Sequence, residues 1–137
     1  MKLNYSSNWS GGLSFETGIG SHIVRTDAPK ELGGADSGPN PKALMIAALA
    51  GCTGIDVVNI LEKMRIRPDA FKVDVEVDAS DEPPSVYKSI VLIYRFTGND
   101  LDMKKLRRAV ELSQEKYCGV SMMYQKAMDI SYEIVVE

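Results

Sequence analysis

The sequence has few of the residues that build metal sites or disulfide frameworks. Its 137 residues include two cysteines, one histidine and one tryptophan. Two cysteines cannot form the dense disulfide framework that stabilises many small secreted domains. A set made of His22, Cys52 and Cys118 lacks the close ligand spacing of zinc motifs and a fourth ligand. We therefore expect no metal site and no cofactor, and we interpret His22 as an ordinary strand residue.

The chain also lacks a strong net charge and a long hydrophobic run. The net charge is −3, with both signs interspersed, so there is no basic face for nucleic acid and no polybasic membrane anchor. The longest apolar stretch, residues 43–55, is shorter than a bilayer span and ends at Asp56, which predicts a buried helix. Residues 1–9 show no signal-peptide pattern. We expect a cytoplasmic protein with small-molecule or protein partners, and with no nucleic-acid or membrane partner.

The hydrophobic periodicity predicts two groups of strands. Residues 3–26 suggest a three-stranded meander with turns at residues 10–12 and 18–20. Residues 71–79 alternate between apolar and charged types without a fault, which predicts a half-buried strand. Residues 81–85 form a turn, and residues 86–97 are apolar on both faces, as expected of a strand inside a sheet.

The same periodicity predicts three helices and a last strand. Asn40 is a suitable N-cap with Pro41 at the first helical position, and a long helix follows to residue 64. Residues 101–116 and 120–127 are amphipathic helices, and residues 130–136 alternate as a strand. The chain is long enough for one domain with a real core, so we expect residues 1–137 to form a single α+β domain.

The two cysteines carry the sequence's candidate chemistry. Cys52 lies about halfway along the long helix, and Cys118 precedes Gly119 at the start of a short helix. Unpaired N–H groups at a helix start favour a thiolate. The alternative is that both are inert, because free cysteine often serves as a small buried hydrophobe and residues 50–54 are small enough for close helix packing.

Two sequence contexts resemble those of a known family. They are Gly38-Pro-Asn-Pro followed by Ala-Ala-Leu-Ala-Gly-Cys-Thr-Gly-Ile-Asp-Val-Val, and the later Tyr-Cys-Gly-Val-Ser. The pattern resembles the OsmC/Ohr family of osmotically inducible and organic-hydroperoxide-resistance proteins, and is nearest to its YhfA-like branch. The resemblance implies an OsmC-like fold over residues 1–137. It also implies an interlocked homodimer in which N-terminal strands of one chain complete the sheet of the other.

The resemblance further implies a peroxidase that acts in oxidative-stress defence. Cys52 would be the peroxidatic residue that reduces an organic hydroperoxide, and Cys118 the resolving residue that forms a disulfide with it. An external dithiol would then regenerate the pair. Two other functions stay open: a non-catalytic protein that binds a small ligand, and a thiol-disulfide redox protein that does not reduce peroxide.

Several neighbouring residues bear on these alternatives. In the family's hydroperoxide reductases an arginine touches the reactive sulfur and a glutamate holds that arginine. Here the loop at residues 8–12 has no arginine and Lys42 stands at the glutamate position. Lys42, Arg25 or a residue of the other chain would have to supply the positive charge. Asp56 shares a helical face with Cys52, and we expect it to be paired or hydrogen-bonded, to Lys63 or to a partner chain. Methionines and tyrosines around Cys118 predict core packing or a pocket for an apolar hydroperoxide, at positions 117, 122, 123, 124 and 128.

Overall fold

The computed structural model describes residues 1–137 as an α+β protein with two three-stranded sheets. The elements in chain order are β1 (Ser7–Trp9), β2 (Phe15–Ile19), β3 (His22–Thr26), α1 (Leu44–Lys63), β4 (Ala70–Ala79), β5 (Tyr87–Thr97), α2 (Met103–Leu112), α3 (Gly119–Gln125) and β6 (Asp129–Val136). A short 3-10 helix, Lys30–Leu32, follows β3. The chain divides into two compact units, residues 1–46 and 47–137. The predicted α+β class and order of elements are confirmed.

The first unit contains an antiparallel meander with β2 in the middle. Its first turn needs glycine, because Gly11 and Gly12 have φ angles of 98° and 55°. The Trp9 indole N–H donates to the Gly12 carbonyl at 2.9 Å, which closes this turn. The second turn lies later than predicted, because β2 continues through Ile19 and the chain reverses at Gly20, where φ is 61°.

The sheet of the second unit has the order β4-β5-β6, so β5 is the central strand, as its apolar faces predicted. β4 and β5 pair antiparallel, as expected of a hairpin. β5 and β6 pair in parallel. Parallel neighbours need a crossover connection, and here α2 and α3 lie between the two strands in the chain.

One face of this sheet forms the core of the second unit. The β5 side chains Ile90, Leu92, Tyr94 and Phe96 are all fully buried. The Phe71 ring of β4 stacks on Phe96 with ring centroids 4.6 Å apart. Helices α1 and α2 supply six more fully buried apolar side chains: Leu49, Val57, Leu61, Leu106, Ala109 and Val110. On the opposite face, Arg95 pairs with Asp74 at 2.6 Å.

Helix α1 starts with the predicted cap and a tight turn. The Asn40 side chain accepts a hydrogen bond from the Lys42 backbone N–H at 2.9 Å. The regular helix begins only at Leu44, because the preceding residues make bonds across three positions rather than four. Its buried positions recur every four residues, at Leu49, Thr53, Val57 and Leu61. Within one chain the helix is therefore buried along one stripe, and not all round as its sequence suggested.

By length and composition, α1 is the one helix that could cross a membrane. Its 18-residue window has a mean hydropathy of 1.9, and 22% of that window is buried. The helix is longer than the apolar stretch at residues 43–55, because Asp56 does not end it. A single helix of this kind is a weak indication of a membrane span, since the core helix of a soluble protein has the same length and composition.

Candidate functional site

The second unit brings Cys52 and Cys118 together. The two Sγ atoms and a carboxylate oxygen of Asp56 all lie within 4.8 Å of one another. Cys118 is fully buried, whereas Cys52 is partly exposed. Two cysteines far apart in the chain are thus neighbours in the fold, with a carboxylate as the third member of the cluster.

Local geometry explains how each member reaches the cluster. Cys52 and Asp56 are four residues apart on α1 and therefore share a helical face. The predicted helix at residues 101–116 is not continuous, because α2 ends at Leu112 and a π-helical turn follows at Ser113–Tyr117. Single π-helical turns often occur at functional sites. This turn ends at Cys118, whose backbone N–H donates to the Ser113 carbonyl at 2.8 Å and whose φ of −80° and ψ of 99° break the helix.

Cys118 caps the N-terminus of α3, but its thiol is not activated. Its Sγ accepts a hydrogen bond from the Ser121 backbone N–H at 3.3 Å. Burial is the main effect on the thiol, and Cys52 and Asp56 add to it, so the pKa of Cys118 rises from 9.0 to about 11. The Ser121 N–H acts in the opposite direction and has a smaller effect. The expectation of a thiolate at this helix start is therefore wrong, because burial opposes the charged form more than the cap favours it.

Asp56 is hydrogen-bonded, as predicted, but through a different partner. The Ser113 hydroxyl of the π-helical turn donates to Asp56 Oδ2 at 3.0 Å. Lys63, which the sequence suggested, is exposed at the end of α1 and is not ion-paired to Asp56. The carboxylate therefore links the cysteine cluster to the turn that carries Cys118.

A buried polar network supports this cluster. Thr53 Oγ1 lies 2.6 Å from Tyr94 Oη and 2.7 Å from Ser113 Oγ. The Gln114 amide donates to Tyr94 Oη at 2.9 Å, and the Ser121 hydroxyl donates to Gln114 Oε1 at 2.6 Å. No buried side-chain polar atom lacks a partner. The network joins α1, β5, the π-helical turn and α3, and so holds the elements that carry the two cysteines.

Burial keeps the Tyr94 phenol at the centre of this network protonated. Burial raises the pKa of Tyr94 to about 12, although hydrogen bonds from Thr53 and Gln114 lower it. Sequence reasoning missed this network altogether. The available signal was Thr53, a polar residue within the otherwise apolar stripe of α1.

The other predicted site residues lie in the first unit. His22 begins β3 and is exposed. Arg25 pairs with Glu16 at 2.8 Å and donates to Ser37 at 3.3 Å, so it is an ion-paired strand residue rather than a freely solvated one. Lys42 lies in the turn before α1. None of these residues is among the groups that act on the pKa of the Cys118 thiol, and the neighbouring Cys52 and Asp56 side chains both raise it.

Apolar surface near the cysteines differs from the predicted pocket. Met122 and Met123 are 46% and 64% exposed, so within one chain they are not core residues around Cys118. A groove of about 550 Å³ instead runs between α1 and β4. Its lining is mostly small or apolar: Ala50, Gly51, Gly54, Ile55, Val58, Phe71 and Val73. Since Gly51 precedes Cys52, this groove lies beside the helical segment that carries the more exposed cysteine.

Comparison with known proteins identifies the family. Residues 34–133 match the family described as OsmC-like protein. The chain belongs to this OsmC-like family, which confirms the resemblance in its two cysteine contexts. Within the family it is 37% identical to Protein YhfA of Escherichia coli K12 over 131 residues, which cover 93% of this chain and 94% of that protein.

Solved structures show the same fold. A hypothetical protein from Aquifex aeolicus superposes with a TM-score of 0.82 at 27% identity, covering 100% of this chain and 99% of that one. The organic hydroperoxide resistance protein OsmC from Legionella pneumophila has a TM-score of 0.69 at 19% identity, with 98% and 97% covered. At 19% identity, the likeness to the Legionella pneumophila protein demonstrates the fold alone. The predicted OsmC-like fold is confirmed.

Proposed function

We propose that this protein is a thiol peroxidase that reduces organic hydroperoxides in oxidative-stress defence. The observation that carries the proposal is the cluster in which the Cys52 and Cys118 sulfurs lie within 4.8 Å. Membership of the OsmC-like family supports it, as does the structural likeness to the organic hydroperoxide resistance protein from Legionella pneumophila. We place the protein in the cytoplasm, where thiol reductants are available.

The different environments of the two cysteines support distinct roles. Cys52 is partly exposed whereas Cys118 is buried, so Cys52 is the sulfur that a hydroperoxide can reach. Cys118 is fully buried, and its raised pKa keeps it protonated near neutral pH. We therefore assign the attacking role to Cys52 and the resolving role to Cys118.

The proposed cycle needs only the two thiols, the hydroperoxide and a dithiol. The Cys52 thiolate attacks the terminal oxygen, the O–O bond breaks, and the alkoxide takes a proton and leaves as the alcohol. Cys52 is then a sulfenic acid. The Cys118 sulfur displaces the sulfenic hydroxyl, which leaves as water with the thiol proton. The external dithiol reduces the resulting disulfide by exchange and is itself oxidised.

We further propose that the working form is an interlocked homodimer of single-domain chains. Exposed apolar residues in both units support a covering partner: Ile55 is 65% exposed and Val58 50% on α1, whereas Trp9 is 68% and Ile23 70% exposed on the meander. Exposed apolar side chains in such numbers are typical of a protein interface. An interlocked interface would bury on the order of 2,000 Å² or more.

Mass spectrometry tests the peroxidase directly. The reduced protein would receive one equivalent of cumene hydroperoxide and be quenched after seconds with an alkylating agent. We expect loss of two hydrogens and no alkylation, because Cys52 and Cys118 have formed an intramolecular disulfide. The matched control is Cys52→Ser, which should leave the peroxide unconsumed. Two free thiols in the wild-type protein after complete mixing would contradict the proposal.

A second candidate is a thiol-disulfide redox protein that does not reduce peroxide. The observation that favours it is the Asp56 carboxylate within 4.8 Å of both sulfurs, because a negative charge opposes the thiolate that attacks a hydroperoxide. Exchange of the Cys52–Cys118 disulfide with a dithiol, without peroxide consumption, would support this function. A non-catalytic protein that binds an apolar ligand in the groove between α1 and β4 would show neither reaction.

A further inference from the structure

The cluster of Cys52, Asp56 and Cys118 has the donor atoms of a metal site. It presents two sulfurs and one carboxylate oxygen within 4.8 Å of one another. Thiolate and carboxylate are common zinc ligands. The sequence argues against a metal site that contains His22, whereas the fold supplies Asp56 as the third donor.

The spacing of these atoms is close to that of a tetrahedral site. Zinc lies about 2.3 Å from sulfur and about 2.0–2.2 Å from a carboxylate oxygen, so tetrahedral ligands are roughly 3.6–3.8 Å apart. The three donor atoms lie within 4.8 Å of one another. The distances between donor atoms therefore need to shorten by at most about 1.2 Å. Small rotations of the three side chains are enough for such a change.

Hydrogen bonds from neighbouring residues orient two of the three donor side chains, Cys118 and Asp56. The Ser121 N–H donates to Cys118 Sγ at 3.3 Å, and the Ser113 hydroxyl donates to Asp56 Oδ2 at 3.0 Å. Metal ligands in proteins are usually held by such outer hydrogen bonds, which fix their orientation. Ser113 thus holds Asp56 through Oδ2, and a carboxylate oxygen of the same residue is the third donor of the cluster.

Charge and access also suit a divalent cation. Two thiolates and one carboxylate carry three negative charges, which a dication partly neutralises. Cys118 is buried, but Cys52 is partly exposed and gives the ion a path into the site. Three protein ligands leave a fourth position for water or another ligand, as in open zinc sites.

We propose that the reduced protein binds one Zn²⁺ ion per chain through Cys52 Sγ, Cys118 Sγ and a carboxylate oxygen of Asp56. Binding releases the thiol protons, so affinity increases with pH. The disulfide form cannot bind, because its sulfurs are bonded to each other. An oxidant that takes two electrons from the thiolates therefore ejects the metal, and a dithiol restores the site. The proposal does not depend on peroxidase activity.

Anaerobic titration of the reduced protein with Co²⁺ tests the site. We expect one equivalent to bind with micromolar affinity, to show the thiolate charge-transfer and tetrahedral d–d bands, and to be displaced by Zn²⁺. Wild-type protein oxidised with diamide should show no such bands, and this comparison needs no mutation. Absence of the bands in reduced wild type at micromolar Co²⁺ would overturn the proposal.

Matched variants identify the ligands. Cys52→Ser should greatly weaken the charge-transfer bands, because it removes one of the two sulfur donors. Asp56→Asn should weaken Zn²⁺ binding by at least about tenfold, because it replaces the carboxylate with a neutral amide. Glu62→Gln is the control, because Glu62 is an exposed carboxylate on the same helix. Circular dichroism of each variant checks its folding. Equal affinity of wild type, Cys52→Ser and Asp56→Asn would show that Zn²⁺ binds elsewhere and would also overturn the proposal.

Discussion

The Ser113 hydroxyl donates to Asp56 Oδ2 at 3.0 Å across a separation of 57 residues. Ser113 also contacts Thr53 Oγ1 at 2.7 Å, so one hydroxyl connects the buried polar network to the carboxylate beside the cysteines. A rearrangement of the cysteine pair would therefore change hydrogen bonds of α1, the π-helical turn and β5 together.

Substitution of each cysteine should block a different step of turnover. Cys52→Ser should abolish hydroperoxide consumption, because it removes the attacking sulfur. Cys118→Ser should preserve the first turnover and leave Cys52 as a sulfenic acid that dimedone traps and excess peroxide over-oxidises. Rapid-quench measurement of alcohol formation would show one equivalent per chain in the second variant. Equal loss of the first turnover in both variants would disprove the assigned roles.

The stability of the fold should decrease in alkaline solution because of Cys118. Its thiol has a folded-state pKa of about 11, whereas the ordinary value is 9.0. Between these values the unfolded state binds fewer protons than the folded state, so the free energy of unfolding falls as pH rises. Below pH 9.0 both states are protonated, and the stabilisation is fully present.

Urea unfolding at several pH values between 8 and 11 would measure this effect, with Cys118→Ser as the control. The variant retains the Tyr94 phenol, whose raised pKa gives a trend of the same sign at higher pH. The difference in slope between wild type and variant therefore isolates the thiol. Parallel pH profiles of the two proteins would contradict the buried, protonated Cys118.

Removal of the Thr53 hydroxyl should destabilise the second unit. Thr53→Val retains the shape of the side chain but breaks its bonds to Tyr94 and Ser113, and these partners remain buried. Tyr94 keeps its bond from Gln114 and Ser113 keeps its bond to Asp56, so each loses one of its partners. The loss of two hydrogen bonds costs about 1–3 kcal/mol. Thr97→Val is a suitable control, because Thr97 is exposed at the end of β5, and it should change stability by about 0.5 kcal/mol or less. Urea unfolding that gives the same midpoint for both variants would show that the network adds no stability.

The proposed homodimer should depend on the exposed face of α1. Ile55→Asp places a charge where the side chain is 65% exposed in one chain, and we expect a dimer-to-monomer shift in sedimentation velocity at micromolar concentration. Val86→Asp is the control, since Val86 is 52% exposed and lies before β5, away from this helix in the sequence. A stable folded monomer of the wild-type protein at the same concentration would disprove the dimer.

Much of the fold follows from local patterns. The alternating residues 71–79 predict β4, which is observed at Ala70–Ala79, because alternation places apolar side chains on one face whatever the partner strand is. The Asn40 cap and the apolar run that follows predict α1 in the same way. The two cysteine contexts identify the family for a different reason, since they are specific local sequences.

Longer-range features could not be predicted from such patterns. The alternation of residues 130–136 predicts β6 but not its parallel pairing with β5, because side-chain period is the same in parallel and antiparallel sheets. The continuous helix predicted at residues 101–116 ends early at Leu112, because Ser113 and Gln114 bond to buried partners on α1 and β5. Tertiary hydrogen bonds thus override the local helical pattern.

The sequence by itself determined the family, the order of the elements and the two cysteines that carry the candidate chemistry. Only the tertiary structure decided that Asp56 joins those cysteines within 4.8 Å and that Cys118 is buried. Proximity and burial depend on how separate elements pack, and the pKa of a thiol follows that environment rather than the residue type. For this reason the helix-start position predicted a thiolate at Cys118, whereas the packed protein raises its pKa to about 11.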